Sequence, residues 1–164
     1  METLHTIRKW LDKIVGTICI FLFALMVVVG SYQIITRFIF NNPSTISEEL
    51  LTYSFAWMAM FATAYVFGKR DHMRMTFVVD KLAPAQRKVL EIVLEVLVIA
   101  FAAIVLIYGG FNIMGLTMTQ KTASLGVMMG QVYAVVPLSG ILIAIYGILN
   151  VVDLCKGTKE KKRR

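Results

Sequence analysis

Charge is scarce in this chain, and the scarcity is uneven. Asp, Glu, Lys and Arg make up only 16% of the 164 residues, against 58% hydrophobic. Four long stretches carry no ionisable residue in their central part. The chain also has only two histidines (His5 and His72) and two cysteines (Cys19 and Cys155). Each shortage removes a class of function. Carriers of protons or sodium place an ionisable group or a broken helix near the bilayer midplane. A four-span multidrug exporter would need a membrane-embedded Glu. A haem-bearing quinone subunit needs His ligands inside the bilayer, and both histidines lie outside the apolar stretches. His72 stands alone, so a metal site is not expected. No Cys-x-x-Cys exists, which argues against thiol redox chemistry. No nucleophile–base set, phosphate loop or cofactor site is evident. What remains is a non-enzymatic membrane subunit that works through a partner.

The apolar stretches set the fold class. About 20 residues at ~1.5 Å each cross a bilayer. The runs 14–35, 50–67, 96–115 and roughly 128–152 meet or approach that length. They predict an all-α membrane protein of one four-span domain, residues 1–164, with no separate soluble domain. The first run is too long for a signal peptide and lacks a small-residue cleavage site, so it reads as a retained span.

The formal net charge of +7 does not point to nucleic acid, because of where it sits. All 17 Lys and Arg fall outside the four runs. Fifteen lie in residues 1–13, in the 68–88 loop or after Val152; Arg37 and Lys121 are the other two. This is the positive-inside pattern, and it predicts that both termini and the middle loop are cytoplasmic. The basic tail 153–164 reads as an anchor on anionic lipid. Residues 1–13 carry Leu4, Ile7 and Leu11 at helical spacing beside Arg8, Lys9 and Lys13. They form either an amphipathic interfacial helix or an extension of the first span. A second short interfacial helix is expected in the middle loop, near 77–82.

The stretch from Arg37 to Met75 holds most of the candidate residues. Asn41, Asn42 and Pro43 predict a turn. Ser47, or Thr45 with Glu48 three residues on, can cap the next helix. Glu48 and Glu49 then fall in its first turn, where the helix dipole favours negative charge. The Glu pair is either only that, or a partner for Arg37 across the short connection, with Glu49 the better placed. Glu49, Tyr53, Ala56, Trp57, Met60 and Ala64 share one helical stripe, so Trp57 is expected to face protein. Further on, Arg87, Glu91 and Glu95 form a polar stripe on a helix that starts at the inner interface and then crosses. Gly126 and Gly130 are spaced for close helix contact, a weak signal. Pro137, four residues after Tyr133, should kink or reorient the start of the fourth span.

Several of these residues also carry a family resemblance. They are Arg37-Phe-Ile-Phe-Asn41-x-Pro43, Glu48-Glu49-Leu50, Trp57, Ala62–Ala64, the basic loop ending Asp71-His72-Met73, and Leu125-Gly126, Tyr133 and Pro137. In this order they resemble the small membrane subunit of tripartite ATP-independent periplasmic (TRAP) transporters, the DctQ family, over roughly residues 10–153. Where that family often has a Trp shortly before the Glu pair, Thr45-Ile46 stands here. The interface anchor is then weaker or passes to Phe38 and Phe40. The resemblance implies a multi-pass protein of the bacterial inner membrane. Its partners would be a large membrane subunit, which carries the sodium and substrate sites and moves by an elevator-type motion, and an extracytoplasmic substrate-binding protein. The cargo would be an organic acid, such as a C4-dicarboxylate or a sialic acid. The alternative is an independent four-span carrier or channel acting as a homo-oligomer.

Overall fold

The computed structural model describes residues 2–69 and 84–161. Helix α1 spans Glu2–Phe38, α2 Thr45–Lys69 and α3 Pro84–Phe101. A π-helical stretch, Ala102–Gly109, continues α3 without a gap into α4, Gly110–Thr117. The short α5, Met129–Tyr133, precedes α6, Val135–Lys161. Four stretches are long and apolar enough to cross a membrane: Thr6–Phe38, Thr45–Lys69, Val89–Thr117 and Met129–Leu154. The chain is an all-α, four-span membrane protein.

The amphipathic N-terminal segment and the first span are one helix. No Gly or Pro interrupts residues 2–15, and α1 runs through them unbroken. At ~1.5 Å per residue its 37 residues reach about 55 Å, far beyond a ~30 Å hydrocarbon layer. The turn that ends it is the expected one. Asn41 adopts φ 49°, a left-handed conformation that Asn tolerates, and Asn42 N–H closes on the Thr36 carbonyl at 3.0 Å. The cap of α2 is one residue earlier than the sequence suggests. Ser44 Oγ, rather than Thr45 or Ser47, accepts a first-turn N–H, that of Ser47, at 3.4 Å.

The third span starts earlier than its charge-free run. The membrane-length stretch begins at Val89 and so includes Glu91 and Glu95. The side chain of Arg87, the middle-loop helix near 77–82 and His72 lie outside the described residues. Pro137 acts as its chemistry demands. It cannot donate to the Tyr133 carbonyl, and the helix is interrupted at Ala134 between α5 and α6.

The spans lie in a row: α1 beside α2, α2 beside α6, and α6 beside the third span. Helix α6 is central, with half of its most apolar window buried; the figure is 6% for both the first and third spans. Missing side chains let the third span close on α6. A Cβ on Gly110 would lie 2.8 Å from Pro137 Cδ, and one on Gly140 would lie 2.7 Å from Leu106 Cβ. Close backbone approach of this kind replaces the hydrophobic drive that lipid cannot supply. Gly126 and Gly130 do not act as a pair. Gly126 serves a turn at φ +68° in open space, and only Gly130 makes a close contact, with the Met114 carbonyl.

Candidate functional site

The row is fastened by polar side chains at its two ends. One end carries both termini; the other carries the 39–44 turn and the 118–128 connection.

At the second end, Glu49 sits in the first turns of α2, half-buried. Its Oε2 accepts the backbone N–H groups of Ser124 and Leu125 at 2.8 and 2.7 Å. Its Oε1 accepts Ala123 N–H at 3.1 Å and the Tyr53 hydroxyl at 2.7 Å. One carboxylate thus gathers three consecutive amides of the 118–128 connection. Hydrogen bonds to an ionised acceptor are about twice as strong as neutral ones. The connection also braces itself. Thr122 N–H donates to the Val127 carbonyl at 2.8 Å, and Val127 N–H donates back to Thr122 Oγ1 at 3.0 Å. One helical turn apart on the same stripe, Trp57 donates its indole N–H to the Val132 carbonyl at 2.9 Å, beside the break before α6. Its ring meets Phe61 edge-on at 6.0 Å. Glu49, Tyr53 and Trp57 therefore face protein as one set, while Ala56 on the predicted stripe is exposed.

The proposed partnership of Arg37 with Glu49 is not formed. Arg37 is exposed, with its guanidinium 5.8 Å from the ring centroid of Phe38 next to it. The Glu49 carboxylate is saturated by amides that face it directly, and Arg37 lies at the end of α1 beyond that set. Glu48 remains an exposed first-turn residue, as dipole and capping reasoning requires. Asn41 and Pro43 belong to the exposed turn before α2. Tyr133 is half-buried at the end of α5, and Pro137 is buried against Gly110.

The termini end holds a second cluster that sequence reasoning missed. Arg8 of α1 donates to the Gly68 carbonyl at the end of α2 at 2.8 Å and to the side-chain carbonyl of Asn150 on α6. It also pairs with Asp153 at 3.2 Å. The Asn150 amide in turn donates to Glu95 of α3 at 3.2 Å. Beside it, the fully buried Tyr146 donates to Asp12 at 2.8 Å. All four spans meet here. A neutral carboxamide that is itself held by an arginine thus donates to Glu95. The available signal was Arg8 and Asp12 one turn apart, facing Tyr146, Asn150 and Asp153 at similar spacing. In the sequence Arg8 is one of three cations beside an apolar stripe, and Asn150 is hidden in an apolar run.

Among the described residues no group of three or more His, Cys, Asp or Glu could hold a metal ion. Chemically, the termini-end cluster binds helices to helices, and the Glu49 cluster binds α2 to the 118–128 connection and to α5.

The family model for the DctQ component of tripartite ATP-independent periplasmic transporters matches residues 26–157. Two Haemophilus influenzae proteins named for the TRAP transporter small permease are similar over most of their length. One is 23% identical, covering 86% of this chain and 87% of the relative; the other is 25% identical, covering 94% and 91%. The sialic acid TRAP transporter small permease protein SiaQ of Vibrio cholerae is 27% identical, covering 93% and 88%. With its four membrane-spanning helices and a family match over most of its length, the chain belongs to the DctQ family of TRAP transporter components, as a multi-pass protein of the inner membrane.

Proposed function

We propose that this chain is the non-catalytic small subunit of a sodium-coupled TRAP transporter, and that it acts as a fixed body against which a large elevator-type subunit moves. The observation that carries this reading is the use made of the polar side chains. Arg8, Asp12, Glu95, Tyr146, Asn150 and Asp153 fasten four helices together, and Glu49, Tyr53 and Trp57 fasten the opposite end. A body clamped at both ends resists shear and suits a stationary role. A soluble extracytoplasmic binding protein would deliver the substrate to the large subunit. The similarity to a sialic acid small permease supports an organic acid of the sialic acid or C4-dicarboxylate class as cargo. The skewed basic residues support a cytoplasmic position for the termini end.

Reconstitution tests the reading. Sodium-driven uptake into proteoliposomes should require this chain together with the large subunit and the binding protein. The isolated chain should show no sodium-coupled substrate binding by calorimetry. Tight binding to the chain alone, or full uptake without it, rules the scaffold reading out.

A further inference from the structure

Charges near the start of α1 are sorted by sign across the helix. Arg8 and Asp12 turn inward, Arg8 to Asn150 and Asp153 and Asp12 to Tyr146. Lys9 and Lys13, four residues apart, are exposed on the other side, and neither forms an ion pair among the described residues. Helix α2 brings a third cation to this flank. Tyr65 lies over Gly16, with Cε2 3.7 Å from where a Cβ would stand. The Lys69 ammonium sits 4.4 Å from the centroid of the same ring. The two helices run antiparallel, so this contact sets their register. Lys13 is one turn from Gly16 and Lys69 one turn from Tyr65, both toward the termini end. Lys9 follows one turn further. The ring holds the Lys69 ammonium toward α1, where snorkelling alone would let it swing to water.

The level of these cations is that of lipid headgroups. Lys13 lies about 36 Å along α1 from Arg37, and Lys69 about 30 Å along α2 from Glu49, which is close to one hydrocarbon thickness. Beyond Gly16 the same flank becomes apolar. Ile20, Phe23 and Val27 are 71%, 60% and 53% exposed. At 100° per residue they fall within about 80° of Lys9 and Lys13 around the helix. Thr17, exposed between the two zones, returns its hydroxyl to the Lys13 carbonyl at 2.7 Å, as contact with lipid requires.

We infer that the α1–α2 flank at the termini end binds an anionic phospholipid, with its phosphate between Lys13 and Lys69, Lys9 beside it, and an acyl chain along Ile20, Phe23 and Val27. Ammonium groups held together repel one another, and a phosphate between them removes the repulsion. A lysine that only sets topology needs no second lysine in register on the next helix. The sequence of chemistry along the flank, cations and then apolar side chains, is that of a phospholipid from headgroup to tail.

The test uses the full chain in detergent, read by native mass spectrometry. The probe is phosphatidylglycerol; phosphatidylcholine, which has the same phosphate and no net charge, is the comparison. Phosphatidylglycerol adducts should exceed phosphatidylcholine adducts at least about fivefold. Lys13→Gln with Lys69→Gln should lower them by about 5- to 10-fold. Lys161→Gln with Lys162→Gln, in the basic tail, should change them less than about twofold. Equal losses from both pairs, or no preference between the lipids, reduce the flank to diffuse surface charge and overturn the site. Phosphatidylglycerol should also raise the melting temperature of the chain. An equal rise with inorganic phosphate assigns the cations to a free anion and overturns the lipid. A second arm leaves the lysines intact. A photo-crosslinking residue at Ile20 in native membranes should give phospholipid adducts, and adducts with a protein in their place overturn the proposal.

Discussion

Glu49 accepts from three successive backbone amides, so its replacement should loosen a segment and not a single contact. Glu49→Ala should expose the 118–128 connection to protease and lower the melting temperature by several degrees. Tyr53→Phe, which leaves the amides in place, should do much less. Arg37→Glu should be nearly silent for the stability of the chain, because Arg37 does not reach this carboxylate. The combined swap Arg37→Glu with Glu49→Arg should recover nothing. At the other end, Asp153 is 45% exposed, and Asp153→Asn should cost under ~1 kcal/mol. Arg8→Ala also strips the Gly68 carbonyl and the buried Asn150 of their donor and should cost about 2–4 kcal/mol, read by thermal unfolding in detergent. The Glu49–Trp57 stripe was legible because helical spacing alone aligns it. Its partners were not, because backbone amides have no residue type to read. Arg8 and Asn150 escaped because their contact joins residues 142 apart.

At the scale of elements, the four spans followed from charge-free length, and the Asn41 turn and the Pro137 break from backbone chemistry. The π-helical stretch Ala102–Gly109 has no mark in an apolar run of Ala, Ile, Val and Leu that ends in Tyr108 and Gly109. It lies where the third span meets α6, and the contact depends on the absent side chain of Gly140. Gly140→Val would drive new carbons against Leu106 Cβ and the Ile107 backbone N. Overpacking at such a contact costs about 1–3 kcal/mol. The expected result is a lower melting temperature together with faster proteolysis of the third span. Gly115→Ala meets open space and should leave the isolated chain unchanged. The third helix starts before its charge-free run, as the Arg87–Glu91–Glu95 stripe suggested. Glu95 looks too polar to embed until Asn150 is brought beside it.

For the whole molecule, the distribution of 15 basic residues against 2 predicts its orientation. Single cysteines at Asn42 and Lys121 should react with an impermeant thiol reagent applied from outside the inner membrane, and one at Lys161 should not. The reverse pattern would invert the topology. The cluster at the termini end also bears on how the chain is made. Arg8 and Asp153 are 145 residues apart in synthesis order. At roughly 5–20 residues per second, Arg8 and Asp12 wait about 7–30 s after translation before their partners on α6 exist. Throughout that interval the nascent protein carries Arg8 without Asn150 and Asp153, and Asp12 without Tyr146. A ribosome that stops before Tyr146 leaves those partners missing for good. Such truncated chains should be cleared quickly by membrane proteases, and the joining of first helix to last then marks a chain as finished.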